Sequence, residues 1–327
     1  MQNIDIVIAW VDGNDLELKK KRHKYLTGED ASDAVSATRF ASNNEIYYNI
    51  ASILKYVPFC RHIYVVADNQ RPEFIDEFAA QGLCAVDKIR VVDHREIFRG
   101  FEEHLPTFNT RSIESMLWNI EGLSDYFIYL NDDFFFNQQS DLSDFLIDGQ
   151  MVIYGHWQAT LIKKMKYIFR KFLQQNFGMV AEAKYSTAQM LSADRVGMTR
   201  YYEIHHRPHI LSRDLLSTYF KNNKELLDQQ IQFKFRNIDQ LLPVGLSNHL
   251  AIQSDQAILK DDIDIAYLKD GRDLEKFILA LSNSEIKFGC IQSLDQLESL
   301  AEGRIRAALI QKFTGFLPSQ IQPTTVV

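Results

Sequence analysis

Cysteine is scarce in this 327-residue chain. Cys60, Cys84 and Cys290 are widely spaced and form no CxxC pair, so neither a disulfide framework nor a cysteine zinc site is indicated. Long apolar runs are missing too: no uninterrupted stretch approaches the ~20 residues needed to span a bilayer. The opening residues, Met-Gln-Asn-Ile-Asp, show no basic region followed by an apolar run, so no secretory leader is expected and the expected compartment is the reducing cytoplasm. Positive charge is not in excess: 36 Lys and Arg stand against 43 Asp and Glu, a net charge of −7, which argues against nucleic acid as a partner. There is no P-loop, no GxGxxG and no GxSxG, which removes the usual NTPase, dinucleotide-binding and α/β-hydrolase readings. Internal repeats and low-complexity tracts are also absent.

What is present is a large apolar inventory. Apolar residues make up 46% of the chain, with 22 Phe and 14 Tyr, enough for one large domain or two closely joined ones. Short β-branched runs recur at Ile4 to Val11, His62 to Ala67, Lys88 to Val92 and Tyr126 to Leu130. Between them lie helix-periodic stretches: one capped by Asn43-Asn44 ahead of Glu45 and closed by Pro58, one opened by Pro72, and one from Ile113 to Leu123. This alternation predicts an α/β fold with a mainly parallel, Rossmann-like sheet flanked by helices. Ligands of such sheets sit beyond the carboxyl ends of the strands, and here the strands end in polar, acidic turns at Asp12-Gly13-Asn14-Asp15, Asp68-Asn69-Gln70, Asp93-His94 and Asn131-Asp132-Asp133.

Asp132 and Asp133 stand between two apolar runs. Half-buried neighbouring carboxylates need a compensating cation, and hard cations prefer oxygen ligands, so the pair is a candidate site for Mg²⁺ or Mn²⁺. His205, His206 and His209 crowd one segment, but Pro208 and the lack of HExxH spacing argue against zinc. A histidine there suits a general base for a hydroxyl. Arg236 alone would be a surface residue. Lys163, Lys164, Lys166, Arg170 and Lys171 alternate with Ile162, Met165, Ile168, Phe169, Phe172 and Leu173 in a basic amphipathic helix. The plainer reading, which we adopt, is a solvated charged face over a core stripe; the sharper one is a surface for anionic lipid or an anionic glycan. The tail from Pro318 to Val327 is polar and expected to be loose.

In this order, these segments resemble the Stealth family of sugar-1-phosphate transferases, which includes bacterial capsule and exopolysaccharide phosphotransferases and an animal N-acetylglucosamine-1-phosphotransferase. The resemblance runs through IDIVIAWVDGND from Ile4, RFASNNEIYYNIASILKYVPFCRHIYVVADNQRP from Arg39, VVDHREIF, LPTFNTRSIES and GLSDYFIYLNDDFFF. It continues more loosely through HRPHILSRDLL from His206 and FRNID from Phe235, and covers roughly two-thirds of the chain. Ser42 and Ser293 depart from the family pattern.

The resemblance implies a UDP-sugar donor, a glycan acceptor (an oligosaccharide or a lipid-linked glycan), a phosphodiester product and release of UMP. It implies that Asp132 and Asp133 hold the metal at the reacting pyrophosphate, and that His206 and Arg236 are essential, with His206 or Asp132 as the general base. Trp10, Asp12, Gly13, Arg39, Glu45, Asp68, Asn109, Glu114, Asn131 and His249 form the expected substrate-binding set. Residues 1–142 would be the donor-binding half, 143–199 a helical insertion contacting acceptor or the inner membrane surface, and 200–327 the largely helical remainder. Two rival functions stay open: a metal-dependent glycosyltransferase releasing UDP, and a glycan-binding module without catalysis.

Overall fold

The computed structural model describes residues 4–26, 43–179, 181–292, 294 and 297–321. Ile4–Ala9 is the central strand of a five-stranded sheet, pairing in parallel with Cys60–Ala67 on one side and Tyr126–Asn131 on the other. Ile89–Asp93 extends the first side in parallel, and His209–Ser212 closes the opposite edge antiparallel. A strand buried on both faces must be apolar nearly throughout; Ile4, Ile6, Val7 and Ile8 are fully buried. The α/β architecture with a mainly parallel central sheet is therefore as the sequence predicts.

Strand order positions the site. The chain steps outward from Ile4–Ala9 to Cys60–Ala67 and Ile89–Asp93, then returns to add Tyr126–Asn131 on the other side. Such a reversal leaves a crevice beyond the carboxyl ends of the two strands where it occurs. Trp10 follows one of these ends, and Asn131 to Asp133 stand at the other. From there Phe134–Phe136 crosses into a second sheet with Phe288–Ile291 and Ala266–Leu268. One continuous apolar core runs from Ile4 to Ile321 and joins the two sheets.

Several elements differ from expectation, each for a local reason. Asn44 does not cap the helix Glu45–Tyr56; it takes a left-handed conformation (φ 71°), and the Glu45 carboxylate accepts the Asn43 N–H at 2.5 Å instead. The helix expected from Pro72 shrinks to Glu77–Ala80, because the Phe74 N–H donates to the Tyr47 hydroxyl at 3.0 Å and its ring packs on Tyr47. The helix expected over Ile113 to Leu123 breaks into Thr110–Glu114 and a short turn at Leu117–Asn119. Trp118 Nε1 donates to the Ser115 carbonyl at 2.8 Å, and the Asn119 N–H, which a continuing helix would direct there, donates to the Met116 carbonyl at 3.0 Å instead.

The segment 143–199 is not purely helical. Asp148 and Gly149 both have positive φ (51° and 81°), the signature of a two-residue hairpin turn, and they join Leu146–Ile147 to Gln150–Tyr154. His156–Ala159 follows as a further strand, and only then come the helices Thr160–Phe177 and Tyr185–Arg195. The C-terminal part likewise mixes helices with the strands Ala257–Lys260, Ala266–Leu268 and Phe288–Ile291.

The long helix Thr160–Phe177 reverses the plainer expectation for its faces. Its basic side meets the protein: Lys163 pairs with Glu203, Lys164 with Asp194, and Lys171 and the Tyr167 hydroxyl both with Asp239. Its apolar side faces outward. No helix among the described residues is long and apolar enough to cross a membrane. The tail beyond Ile321 lies outside the described residues.

Candidate active site

A cleft of about 600 Å³ opens at the carboxyl edge of the central sheet, within the ~300–1,000 Å³ usual for small-molecule sites. Its floor is the turn between the two sheets. The Asn131 carbonyl accepts from Asn49 Nδ2 at 2.9 Å and the Asp133 carbonyl accepts from Ile291 N at 2.8 Å, so the Asp132-Asp133 turn is pinned at both ends. Among the described residues Asp133 Oδ1 is buried with no hydrogen-bond partner, and the Cys290 thiol lies 3.6 Å from its Oδ2. Burial, with Glu45 nearby, pushes the Asp133 carboxyl up to about 7. Burial also raises Asp132 well above the ordinary carboxylate range, reinforced by Asp133 and Glu45.

Asp5, fully buried at the amino end of the same sheet, provides the contrast. Burial alone would raise its pKa, but Arg61 donates to both of its oxygens at 2.9 and 2.6 Å and the Ser124 N–H adds a bond at 2.8 Å, so it is held below the usual range. That carboxylate is satisfied by the protein. Asp132 and Asp133 crowd together with Glu45 and an unmet oxygen, an arrangement that suits a hard divalent cation.

One wall carries Glu114, Tyr129 and Asn131. The Tyr129 hydroxyl lies 3.1 Å from Glu114 Oε1 and 2.8 Å from Asn131 Oδ1. Burial pushes Glu114 up to about 7 against the opposing pull of Arg236. The His206 ring stacks with Tyr185 (centroids 5.3 Å apart) and Tyr267 (6.2 Å) and meets the edge of Phe134. Burial, with His205 and Arg236 beside it, lowers the His206 pKa, so the imidazole is neutral at neutral pH and free to accept a proton.

Arg236 reaches the cleft from a loop held by Asn109 together with the Phe108 N–H, which donates to the Lys234 carbonyl at 2.9 Å. Asn109 caps the helix Thr110–Glu114 by accepting the Arg111 N–H, while its Nδ2 donates to the Phe235 carbonyl and Gln240 Oε1, each at 2.8 Å. Arg236 then donates to Thr110 Oγ1 at 3.2 Å. At the opposite rim Trp10 and Asp68 line the cleft, with Asp68 held by Lys21 at 2.6 Å.

Comparison with known proteins matches residues 2–30 to Stealth protein conserved region 1 and residues 39–153 to conserved region 2. The chain belongs to the Stealth family. Curated relatives include a capsular polysaccharide phosphotransferase of Actinobacillus pleuropneumoniae, 40% identical over 146 residues, which are 44% of this chain and 38% of the relative. An exopolysaccharide phosphotransferase of Streptomyces coelicolor is 30% identical over 277 residues, 81% of this chain and 42% of the relative. The chain thus spans less than half the length of either relative. Among solved structures, the bifunctional glycosyltransferase WbbM aligns with 96% of this chain and 50% of its own at 10% identity and a TM-score of 0.46. The galactosyltransferase LgtC with donor and acceptor sugar analogues aligns with 97% of both chains at 14% identity and a TM-score of 0.44.

Of the positions carried over from the Stealth resemblance, Asp132, Asp133, His206, Arg236, Trp10, Glu45, Asp68, Glu114 and Asn131 all line this one cleft. Others are placed elsewhere. His249 is a core residue: it is fully buried, its Nε2 accepts the Tyr202 N–H at 2.9 Å, its Nδ1 bonds the Gly245 carbonyl, and burial lowers its pKa to about 4. Asn109 is buried behind the cleft and positions the Arg236 loop rather than lining the cavity. Asp12 and Gly13 form the turn after the first strand; the Asp12 backbone is bonded in both directions to the Gln70 amide, and neither residue lines the cleft. Arg39, Ser42 and Ser293 lie outside the described residues.

The histidine cluster also divides. His206 and His209 face the cleft, while His205 turns to Asp262 at 3.5 Å. Tyr129, Tyr185 and Lys184 were not foreseen as cleft residues. Only the pairing of an aromatic with a nearby acid or histidine signals such a role, and that pairing exists in three dimensions alone.

Proposed function

We propose that this chain transfers a sugar 1-phosphate from a UDP-sugar to a hydroxyl of a glycan, an oligosaccharide or a lipid-linked glycan, in the synthesis of a capsular or extracellular polysaccharide. The observation that carries this reading is the meeting of Asp132, Asp133, His206 and Arg236, from sequence positions far apart, in a single cleft. The names of the curated relatives, phosphotransferases of capsular and extracellular polysaccharides, support it.

The acceptor oxygen attacks the phosphorus that bears the sugar. The bond from that phosphorus to the bridging oxygen breaks, and the oxygen leaves with UMP. His206, neutral and held by its tyrosine neighbours, takes the proton from the attacking hydroxyl. Arg236 offers a planar pair of donors to the phosphoryl oxygens, the geometry at which Arg exceeds Lys. Glu114 and Tyr129, linked by a hydrogen bond, line the same cleft. Asp132 and Asp133 would hold Mg²⁺ or Mn²⁺, a fit supported by the unmet Asp133 Oδ1. Such an ion supplies charge neutralisation for the diphosphate and the departing oxygen.

Incubation of the purified chain with a panel of UDP-sugars and oligosaccharide acceptors, in the presence of Mg²⁺, tests the reading. UMP and a phosphodiester signal in the ³¹P spectrum of the product are expected; UDP as the sole nucleotide product would reject it.

A further inference from the structure

The helix Thr160–Phe177 turns its apolar face to the outside. Leu161, Ile162, Met165, Ile168, Phe169 and Phe172 are between 51 and 68% exposed. They follow the i, i+3, i+4 spacing of one helical stripe, while Lys163, Lys164, Tyr167 and Lys171 on the other side bond to Glu203, Asp194 and Asp239. A helix seated on its protein by the polar side presents a contiguous apolar surface of a kind monomeric soluble proteins seldom leave bare.

The charge pattern selects what covers it. The helix carries Lys163, Lys164, Lys166, Arg170 and Lys171 and no acidic residue. Lys166, exposed at the edge of the apolar stripe, and Arg170, half-buried one turn further on, have no acidic side chain within ion-pair distance among the described residues. A second copy of the chain packed on this face would set these cations against one another. An anionic phospholipid surface takes the apolar side chains into the headgroup–acyl boundary and meets the two cations with phosphate.

We propose that the outward face of Thr160–Phe177 is a docking surface for an anionic membrane. The helix ends at Gly178, and Glu182, Lys184 and Tyr185, a few residues further on, line the cleft, so docking brings the cleft wall close to the bilayer. The proposal stands apart from the chemistry assigned to the cleft.

Flotation of the purified chain with vesicles tests it, comparing phosphatidylcholine alone with an equimolar phosphatidylcholine–phosphatidylglycerol mixture. The chain should float with the anionic vesicles and far less with the neutral ones. The triple variant Ile168→Ser, Phe169→Ser, Phe172→Ser should lose about a hundredfold or more in partitioning, as expected for three large apolar side chains. Lys166→Glu with Arg170→Glu should lose about thirtyfold or more on anionic vesicles alone. Circular dichroism melts check that each variant is folded. Failure of the unaltered chain to float overturns the proposal, as does equal flotation of the charge-reversed variant. A lipid-free dimer in sedimentation velocity that the triple variant dissociates, without any vesicle binding, assigns the face to a second copy and also overturns it.

Discussion

Carboxylates at the two ends of the central sheet show how surroundings assign a residue its work. Asp5 is held by Arg61 and backbone donors and contributes to the fold, whereas Asp133 keeps an unmet oxygen at the cleft floor. At this scale His206→Ala should slow transfer by ~10²–10⁴-fold, the usual worth of a general base, with the thermal midpoint nearly unchanged; near-normal turnover would remove His206 from that role. Arg236→Ala, an exposed side chain, should abolish detectable turnover while costing less than about 0.5 kcal/mol of stability.

Glu114 yields a prediction in pH. Its carboxyl is held at about 7 in the folded chain against an ordinary 4.5, so the folded state keeps a proton that the unfolded chain releases earlier. The resulting stability is fully present below about 4.5 and is lost as pH rises through about 7. Glu114→Gln, neutral throughout, should flatten this part of a plot of melting temperature against pH.

The sequence made Asp132 and Asp133 legible because a strand end is a local feature. The histidine cluster was legible as a candidate base, but choosing His206 within it and naming Arg236 needed the family resemblance, since nothing local distinguishes Arg236 from a surface residue. His249 was misjudged because a histidine bonding backbone groups inside a core looks, in sequence, like any other. His249→Ala should cost about 1–3 kcal/mol, the price of an unsatisfied buried donor, and leave turnover per folded molecule unchanged.

Among elements, the strand Phe288–Ile291 supports the Asp132-Asp133 turn from behind. A Cβ added at Gly289 would lie 2.1 Å from Cζ of Phe135, a ring fixed in the core between the two sheets. Gly289→Ala should therefore destabilise by about 1–3 kcal/mol through overpacking. It should also lower activity, because Ile291 and Cys290 on the same strand contact Asp133. Unfolding in denaturant, together with turnover measured at equal folded fraction, separates the two effects. The parallel strands were legible from their apolar runs. The broken helix after Thr110 was not, because the Trp118 indole takes the Ser115 carbonyl from the backbone. In Thr160–Phe177 the stripe was legible but its direction was not, because that depends on Glu203, Asp194 and Asp239 contributed by other segments.

For the whole molecule, the decisive feature is the reversal of strand order beside Ile4–Ala9. It opens the cleft, and the second sheet and the Arg236 loop complete it. Alternating elements foretold the sheet, but the partnership of residues separated by more than a hundred positions is a property of the folded chain. The central claim is that the phosphate nearest the sugar travels with the sugar. A UDP-sugar carrying ³²P in that phosphate measures it directly. The account predicts radioactivity in the glycan and unlabelled UMP in solution; label recovered only in UDP, with none in the glycan, would contradict it.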